Sequence, residues 1–195
     1  MKKLIIFISL ISMLTLFTSA CGEKKIDTHP SVEIVMQDGG KMVFTLYPEY
    51  APETVANFIK LAKSGFYNGL KFHRIMANFM IQGGDPKGDG TGGSDKTIKG
   101  EFSGNGFTKN TLLHKRGIIS MARTEDMNSA TSQFFIMTVD YPSLDGQYAA
   151  FGKLTEGDKT LTDLANTPVE VDPMSGAVSK PIKDVIIKTI TVLHE

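Results

Sequence analysis

The chain has 195 residues with 41% hydrophobic and 22% charged content, which is the composition of an ordinary globular protein of one domain. Its 21 basic and 21 acidic residues give a formal net charge of zero, so no excess of basic residues predicts a nucleic-acid partner. The single cysteine excludes a disulfide within the chain.

The first twenty residues have the pattern of an export signal. Lys2 and Lys3 precede an apolar run from Leu4 to Phe17, and the small residues 18–20 stand before Cys21. A basic start, a short apolar stretch and small residues before a cleavage position are typical of secretory signals. A permanent membrane-anchoring helix is the alternative, but the apolar run is shorter than the roughly 20 residues that a spanning helix needs.

Cys21 stands at the predicted cleavage position. The segment FTSAC, which ends at Cys21, resembles a bacterial lipobox. This resemblance implies that Cys21 is lipidated and anchors the chain to a bacterial membrane with the domain outside the cytoplasm, since each buried methylene contributes about 0.8 kcal/mol. A secretory signal that leaves an exposed free thiol is the alternative. We expect an export signal over residues 1–20, a lipidated N-terminus and polar tether over 21–31, and one folded domain over 32–195.

The folded domain begins with strand patterns. Two alternating runs, VEIVMQ and KMVFTLY, flank residues 38–40 and predict a β-hairpin. Pro52 begins a predicted helix that Gly65 ends, and a second helix is predicted over residues 158–166. Further strands are predicted at LKFHRIM, FMIQGG, GIISMAR, SQFFIM, YAAFGKL and KDVIIKTITVL. Many short strands with two helices predict an antiparallel sheet, and the pattern leaves open whether it is a barrel or a sandwich.

The segment of residues 83–93, the Gly-rich loop, reads GGDPKGDGTGG. Gly88, Gly90 and Gly93 have the spacing of a dinucleotide-binding fingerprint, but that motif requires a helix after it, and the following SDKTIKGEF predicts none. Its aspartates also lack the order of a calcium-binding loop. The four histidines form no pair at ligand spacing, so the sequence predicts a surface loop, no metal and no cofactor.

One arginine stands in an apolar setting. Residues 72–85, FHRIMANFMIQGGD, place Arg74 among apolar side chains with Gln82 nearby, and SQFFIM adds Gln133 and more apolar residues. A fixed cation with amides in an apolar pocket suits chemistry on a neutral polar group such as a peptide bond. A structural ion pair is the alternative for Arg74. His73 alternates away from Arg74 along the strand, so we interpret it as a structural histidine with its hydrogen bonds satisfied.

These segments, together with LDG and the following YAAFG, resemble the cyclophilin family of peptidyl-prolyl isomerases over roughly residues 32–193. The resemblance implies a mainly β fold, a closed eight-stranded antiparallel barrel capped by two helices. It also implies isomerisation of X-Pro bonds without a cofactor, with Arg74 as the catalytic residue. The implied substrate-binding residues are Phe79, Met80, Gln82, Ala122, Arg123, Gln133, Phe135, Leu144 and Tyr148.

The resemblance also implies the partners, which are proline-containing segments of unfolded or flexible proteins bound by a monomer. With the export signal, it predicts an enzyme that assists folding of exported proteins. A proline-peptide-binding chaperone or assembly factor with incidental isomerase activity is the alternative, and retention of Arg74 favours the enzyme. Three positions depart from common cyclophilin residues: Ser143 replaces tryptophan, Tyr148 histidine and Arg123 asparagine. The missing tryptophan predicts weaker cyclosporin binding.

Overall fold

The computed structural model describes residues 29–195. The predicted export signal, Cys21 and most of the predicted tether lie outside the described residues. Within residues 29–195 the helices are α1 (Pro52–Lys63) and α2 (Asp158–Ala165). The strands are β1 (Ser31–Met36), β2 (Lys41–Leu46), β3 (Arg74–Met76), β4 (Met80–Gly83), β5 (Ile118–Met121), β6 (Phe134–Met137), β7 (Ala150–Glu156), β8 (Val169–Val171), β9 (Val178–Pro181) and β10 (Ile187–His194).

Eight of the strands in residues 29–195 form one curled antiparallel sheet in the order β10-β1-β2-β7-β5-β6-β4-β3. The prediction of a closed barrel is wrong, because the sheet is open and no ladder of hydrogen bonds joins β10 to β3. The predicted strand LKFHRIM is a strand only from Arg74 onward. Ahead of it, isolated bridges join Lys71 to Ile186 and to Asp85. The two edges therefore meet at an isolated bridge and not along a ladder.

The first hairpin and the first helix form where the local sequence patterns predict them. β1 and β2 form the predicted hairpin, and the N–H of Met36 donates to the carbonyl of Gly40 at 2.7 Å across its turn. Helix α1 begins at Pro52, whose missing N–H costs nothing in the first turn. It ends before Gly65, which has φ +72°, a conformation that glycine adopts without strain.

The main core lies between the sheet and the two helices. Helix α1 contributes Phe58 and α2 contributes Leu161, both fully buried. Phe134 of β6 stands at the centre of an aromatic cluster, with ring centroids 5.4 Å from Phe58 and 5.6 Å from Tyr67. Such edge-to-face contacts add to the free energy gained by burying the rings. Over residues 29–195, no helix is both long and apolar enough to cross a membrane.

The N-terminus of α1 is capped by a residue far away in the sequence. Ala51, at the cap position, offers no side-chain hydrogen bond. Instead, the buried carboxylate of Glu101 accepts the N–H of Glu53 at 3.0 Å and the N–H of Thr54 at 2.8 Å. A negative charge at a helix N-terminus is favourable, so this contact ties the start of α1 to the connection between β4 and β5.

Candidate active site

A groove beside strands β3, β4 and β6 brings the predicted site residues together. The groove has a cavity of about 380 Å³. Every predicted catalytic or substrate-binding residue except Gln133 lines it, namely Arg74, Phe79, Met80, Gln82, Ala122, Arg123, Phe135, Leu144 and Tyr148. Gln133 lies next to the groove, in an adjoining cavity that also includes Gln82.

A chain of amides holds the Arg74 side chain. Arg74 and Gln82 face each other in the β3–β4 register, so their side chains lie on the same face of the sheet. Arg74 Nη1 donates to Gln82 Oε1 at 3.1 Å, and Gln82 Nε2 donates to Gln133 Oε1 at 2.8 Å. Gln133 Nε2 in turn donates to the carbonyls of Gly90 at 3.0 Å and Gly92 at 2.7 Å. The Gly-rich loop therefore fixes the position of the guanidinium.

Arg74 carries its charge into the groove without a partner carboxylate. Among residues 29–195 it forms no ion pair, so the structural ion pair considered from the sequence is absent there. Burial lowers the pKa of Arg74, while Tyr148 and Asp172 oppose that shift. Arginine stays protonated in proteins, so the groove contains a permanent, half-buried cation. Its Nη1 donates to Gln82 and its Nη2 to the sulfur of Met76 at 3.0 Å, which leaves its other N–H donors for a ligand.

The apolar wall of the groove is a small hydrophobic cluster distinct from the main core. Successive side chains of β6 point to opposite faces, so Phe134 enters the main core and Phe135 enters the groove cluster with Met80. The ring of Phe135 stands at 90° to that of Tyr148, with centroids 5.5 Å apart. Phe79 and Leu144 pack against this cluster from the side. The wall can hold a small apolar ring.

The side chain of Arg123 packs against the wall from outside. Its guanidinium carbon lies 4.8 Å from the ring centroid of Tyr148 and 5.2 Å from that of Phe102. The same group donates to the carbonyl of Gln147 through Nε at 3.2 Å and Nη2 at 3.1 Å. Cation–π contacts of this kind are favourable, so Arg123 restrains Tyr148.

A buried histidine supports the wall from behind. His114 Nδ1 lies 3.1 Å from Asp145 Oδ1, and its Nε2 lies 3.1 Å from Ser120 Oγ. The imidazole stacks on Phe135 with centroids 5.9 Å apart and an interplanar angle of 15°. His114 is 1% exposed and Ser120 is fully buried, so this Ser-His-Asp arrangement cannot reach a substrate. It fixes the orientation of Phe135.

The sequence model of the cyclophilin type peptidyl-prolyl cis-trans isomerase/CLD family matches residues 31–192. The chain belongs to this cyclophilin family. It is similar to peptidyl-prolyl cis-trans isomerase B of Bacillus subtilis, with 47% identity over 135 residues that cover 69% of this chain and 90% of that protein.

Solved cyclophilins have the same fold. A cyclophilin type peptidyl-prolyl cis-trans isomerase of Cryptosporidium parvum is 35% identical, with a TM-score of 0.75 over 86% of this chain and 99% of that one. A second structure of that protein, in the presence of the dipeptide Ala-Pro, has a TM-score of 0.73 and 35% identity over 85% and 99% of the two chains. The present chain is a peptidyl-prolyl cis-trans isomerase.

The loop between β8 and β9 lines the groove of this cyclophilin, and so does His73, although the sequence predicted neither. Asp172, Met174 and Ser175 reach it from the loop between β8 and β9, a hairpin that the sequence patterns did not predict. Its strands are only three and four residues long and mostly exposed, so they carry no hydrophobic alternation. His73 also lines the groove. Neither ring nitrogen of His73 has a hydrogen-bond partner among the described residues, so the prediction of satisfied hydrogen bonds is wrong.

We expect the free energy of unfolding of this cyclophilin to fall between about pH 7 and pH 5. Burial lowers the pKa of His114, with Asp145 opposing the shift, and burial also lowers the pKa of His73. Below the ordinary histidine pKa of about 6.5, the unfolded chain therefore binds protons that the folded chain does not bind. Stability must then rise with pH through this window. Urea denaturation at a series of pH values measures the slope.

His114→Gln should reduce that pH slope, because it removes one of the two titrating groups. His194→Gln is the matched control: this histidine is exposed near the C-terminus, so its replacement should leave the slope unchanged. An unaltered slope in His114→Gln would show that the buried ring does not cause the acid sensitivity.

Proposed function

We propose that Arg74 accelerates X-Pro isomerisation by donating a hydrogen bond to the prolyl nitrogen of the twisted peptide bond. Amide resonance imposes a rotational barrier of about 18–20 kcal/mol. Twisting breaks the resonance and leaves the nitrogen with a lone pair that both planar forms lack. A donor aimed at that nitrogen stabilises the transition state more than the ground states, which is the requirement for catalysis.

The observation that supports this proposal is the placement of Arg74. Its guanidinium is fixed by Gln82, has no ion-pair partner among residues 29–195 and lies in the same groove as the apolar wall. A rigid, unpaired donor costs little reorganisation when the peptide bond rotates. We assign the proline ring to the wall of Phe79, Met80, Phe135 and Leu144, with Tyr148 at its edge.

Backbone groups beside the groove hold the rest of the peptide in this proposal. The N–H of Ala122 is already bonded to the carbonyl of Gln133 at 2.9 Å. The Ala122 carbonyl and the Arg123 N–H have no partner among the described residues, so they are available for the flanking peptide groups, together with Gln82. One side of the peptide is then held while the other side rotates.

We infer that the ligands are proline-containing segments of unfolded or flexible proteins, bound by a monomer. The Cryptosporidium parvum cyclophilin solved in the presence of Ala-Pro supports proline-containing peptides as ligands. A prolyl-peptide isomerisation assay on residues 29–195, compared with Arg74→Ala, tests the enzymatic proposal. Suppression of aggregation that is unaffected by Arg74→Ala would instead favour the chaperone or assembly factor with incidental isomerase activity.

We propose in addition that the enzyme is exported and anchored to a bacterial membrane by lipid on Cys21, and that it assists folding of exported proteins. The basic start, the apolar run and FTSAC support this location. Mass spectrometry of the mature N-terminus is expected to find an acylated Cys21, and Cys21→Ser should move the protein from the membrane fraction to the soluble fraction. An unmodified Cys21 in the mature protein would overturn the proposal.

A further inference from the structure

The β8–β9 hairpin places an ordered loop, residues 172–177, beside the groove. The Asp172 carboxylate accepts the N–H of Met174 at 2.9 Å and the hydroxyl of Ser175 at 2.9 Å. The backbone of Asp172 is also bonded to Ala177 and Gly176, each at 2.8 Å. This hairpin loop therefore has a defined shape, and strand β9 contacts β3, the strand that carries Arg74.

A second cavity of about 200 Å³ lies between the hairpin loop and the Gly-rich loop. It shares four lining residues with the groove, namely His73, Asp89, Asp172 and Met174. A peptide in the groove can therefore extend a side chain into the second cavity without leaving the surface. Pro173 and Pro181 add apolar surface, and Met174 is 66% exposed, so the methionine is accessible to a ligand.

Two carboxylates line both cavities and therefore stand where the cavities join. Asp89 comes from the Gly-rich loop and Asp172 from the hairpin loop. Hydrogen bonds from Thr91 lower the pKa of Asp89, and those from Met174 and Ser175 lower the pKa of Asp172. Both are therefore ionised at neutral pH, and within residues 29–195 neither forms an ion pair.

The basic side chains around the second cavity are already paired. Lys71 lies 3.0 Å from Asp184, and Lys180 lies 3.2 Å from Glu170. Arg74, across the groove, and Lys180 both interact electrostatically with Asp172, and Lys87 does so with Asp89. Within residues 29–195, however, none of the three forms an ion pair with either carboxylate. The junction between the cavities thus combines apolar surface with two unpaired negative charges.

We propose that the second cavity is a subsite for a lysine or arginine side chain of the substrate, close in sequence to the proline held in the groove. The inference rests on the proposed function of the groove. The aliphatic part of such a side chain packs on Met174 and Pro173, and its charged end lies between Asp89 and Asp172. Long basic side chains bind in this way because their stems are apolar and only their ends are charged.

The test compares peptides that differ by one residue near a single proline. Lysine, norleucine and glutamate are placed in turn at each of the three positions before and after the proline, and kcat/KM is measured for each peptide. At one position, lysine should exceed norleucine by about fivefold at low salt, mostly through KM, as expected for two partly exposed charge pairs. This preference should weaken at high ionic strength because exposed charges are screened.

Variants separate the subsite from the groove. Asp172→Asn and Asp89→Asn should each reduce the lysine-to-norleucine ratio, and Asp172→Lys should shift the preference toward glutamate. Asp163→Asn is the matched control, because this exposed carboxylate lies on α2 outside both cavities, so the ratio should stay as in the wild type. Equal rates for lysine and norleucine in the wild type, or a preference for glutamate, would overturn the subsite and leave the groove assignment intact. A wild type inactive on every peptide would instead refute the proposed function.

Discussion

Arg74→Ala is expected to lower kcat/KM for prolyl-peptide isomerisation by about 10²–10³-fold, the effect of removing one donor that acts on the transition state. The loss should fall mainly on kcat, because the apolar wall that holds the proline ring remains in place. Arg74→Lys should recover only part of the rate. Lysine keeps the charge but lacks the planar fork that bonds Gln82 and the substrate at once.

Arg116→Ala is the control for the loss of an arginine. Arg116 forms an ion pair with Asp158 and donates to the carbonyl of Thr138 at 2.6 Å, outside the groove. Its replacement should lower the thermal midpoint slightly and leave kcat/KM unchanged. Arg74→Ala activity within about threefold of the wild type, in a variant with normal thermal unfolding, would exclude a role of this guanidinium in the transition state.

Replacement by alanine is expected to affect a different property at each of the adjacent residues Phe134 and Phe135, namely stability at Phe134 and activity at Phe135. Phe134→Ala should lower the free energy of unfolding by about 3–5 kcal/mol, a large part of the 5–15 kcal/mol that a domain has. The reason is that Phe134 is fully buried among Phe58 and Tyr67. Activity per folded molecule should change little. Urea denaturation measures the first quantity, and an assay corrected for the folded fraction measures the second.

Phe135→Ala should instead lower kcat/KM by about tenfold or more, because the proline ring loses an apolar contact. Its effect on stability should be smaller, because Phe135 belongs to the small cluster at the groove, where solvent can occupy the space it leaves. Each variant is the other's control, since both remove a phenyl ring from β6. Parallel losses of stability and activity in the two variants would refute the separation of core and groove.

The alternation of β6 could be predicted from the sequence, and so could the juxtaposition of Arg74 and Gln82 in a hairpin. Both depend on side-chain period and short connections. The contact of Gln133 with the Gly90 and Gly92 carbonyls joins segments about forty residues apart, and no local pattern specifies it. The same applies to Glu101, which caps a helix that begins about fifty residues earlier.

The sequence also did not predict the residues outside the resemblance that line or support the groove. His114 meets Ser120 and Asp145 only because β5 and the segment before β7 approach each other in the folded sheet. Asp172 and Met174 reach the groove through a short, mostly exposed hairpin with no hydrophobic pattern. The packing of β9 against β3 decides their position, and that packing depends on how the large sheet curls.

By itself, the sequence determined the N-terminal pattern, most strands, both helices and the residues that carry the cyclophilin resemblance, because periodicity, turn residues and motif identity are local properties. Only the tertiary structure decided that the sheet stays open between β3 and β10, and that an amide chain holds Arg74. It also placed two unpaired carboxylates beside the groove. These features depend on the register and twist of strands that are far apart in the sequence. No single segment of the sequence therefore predicts them.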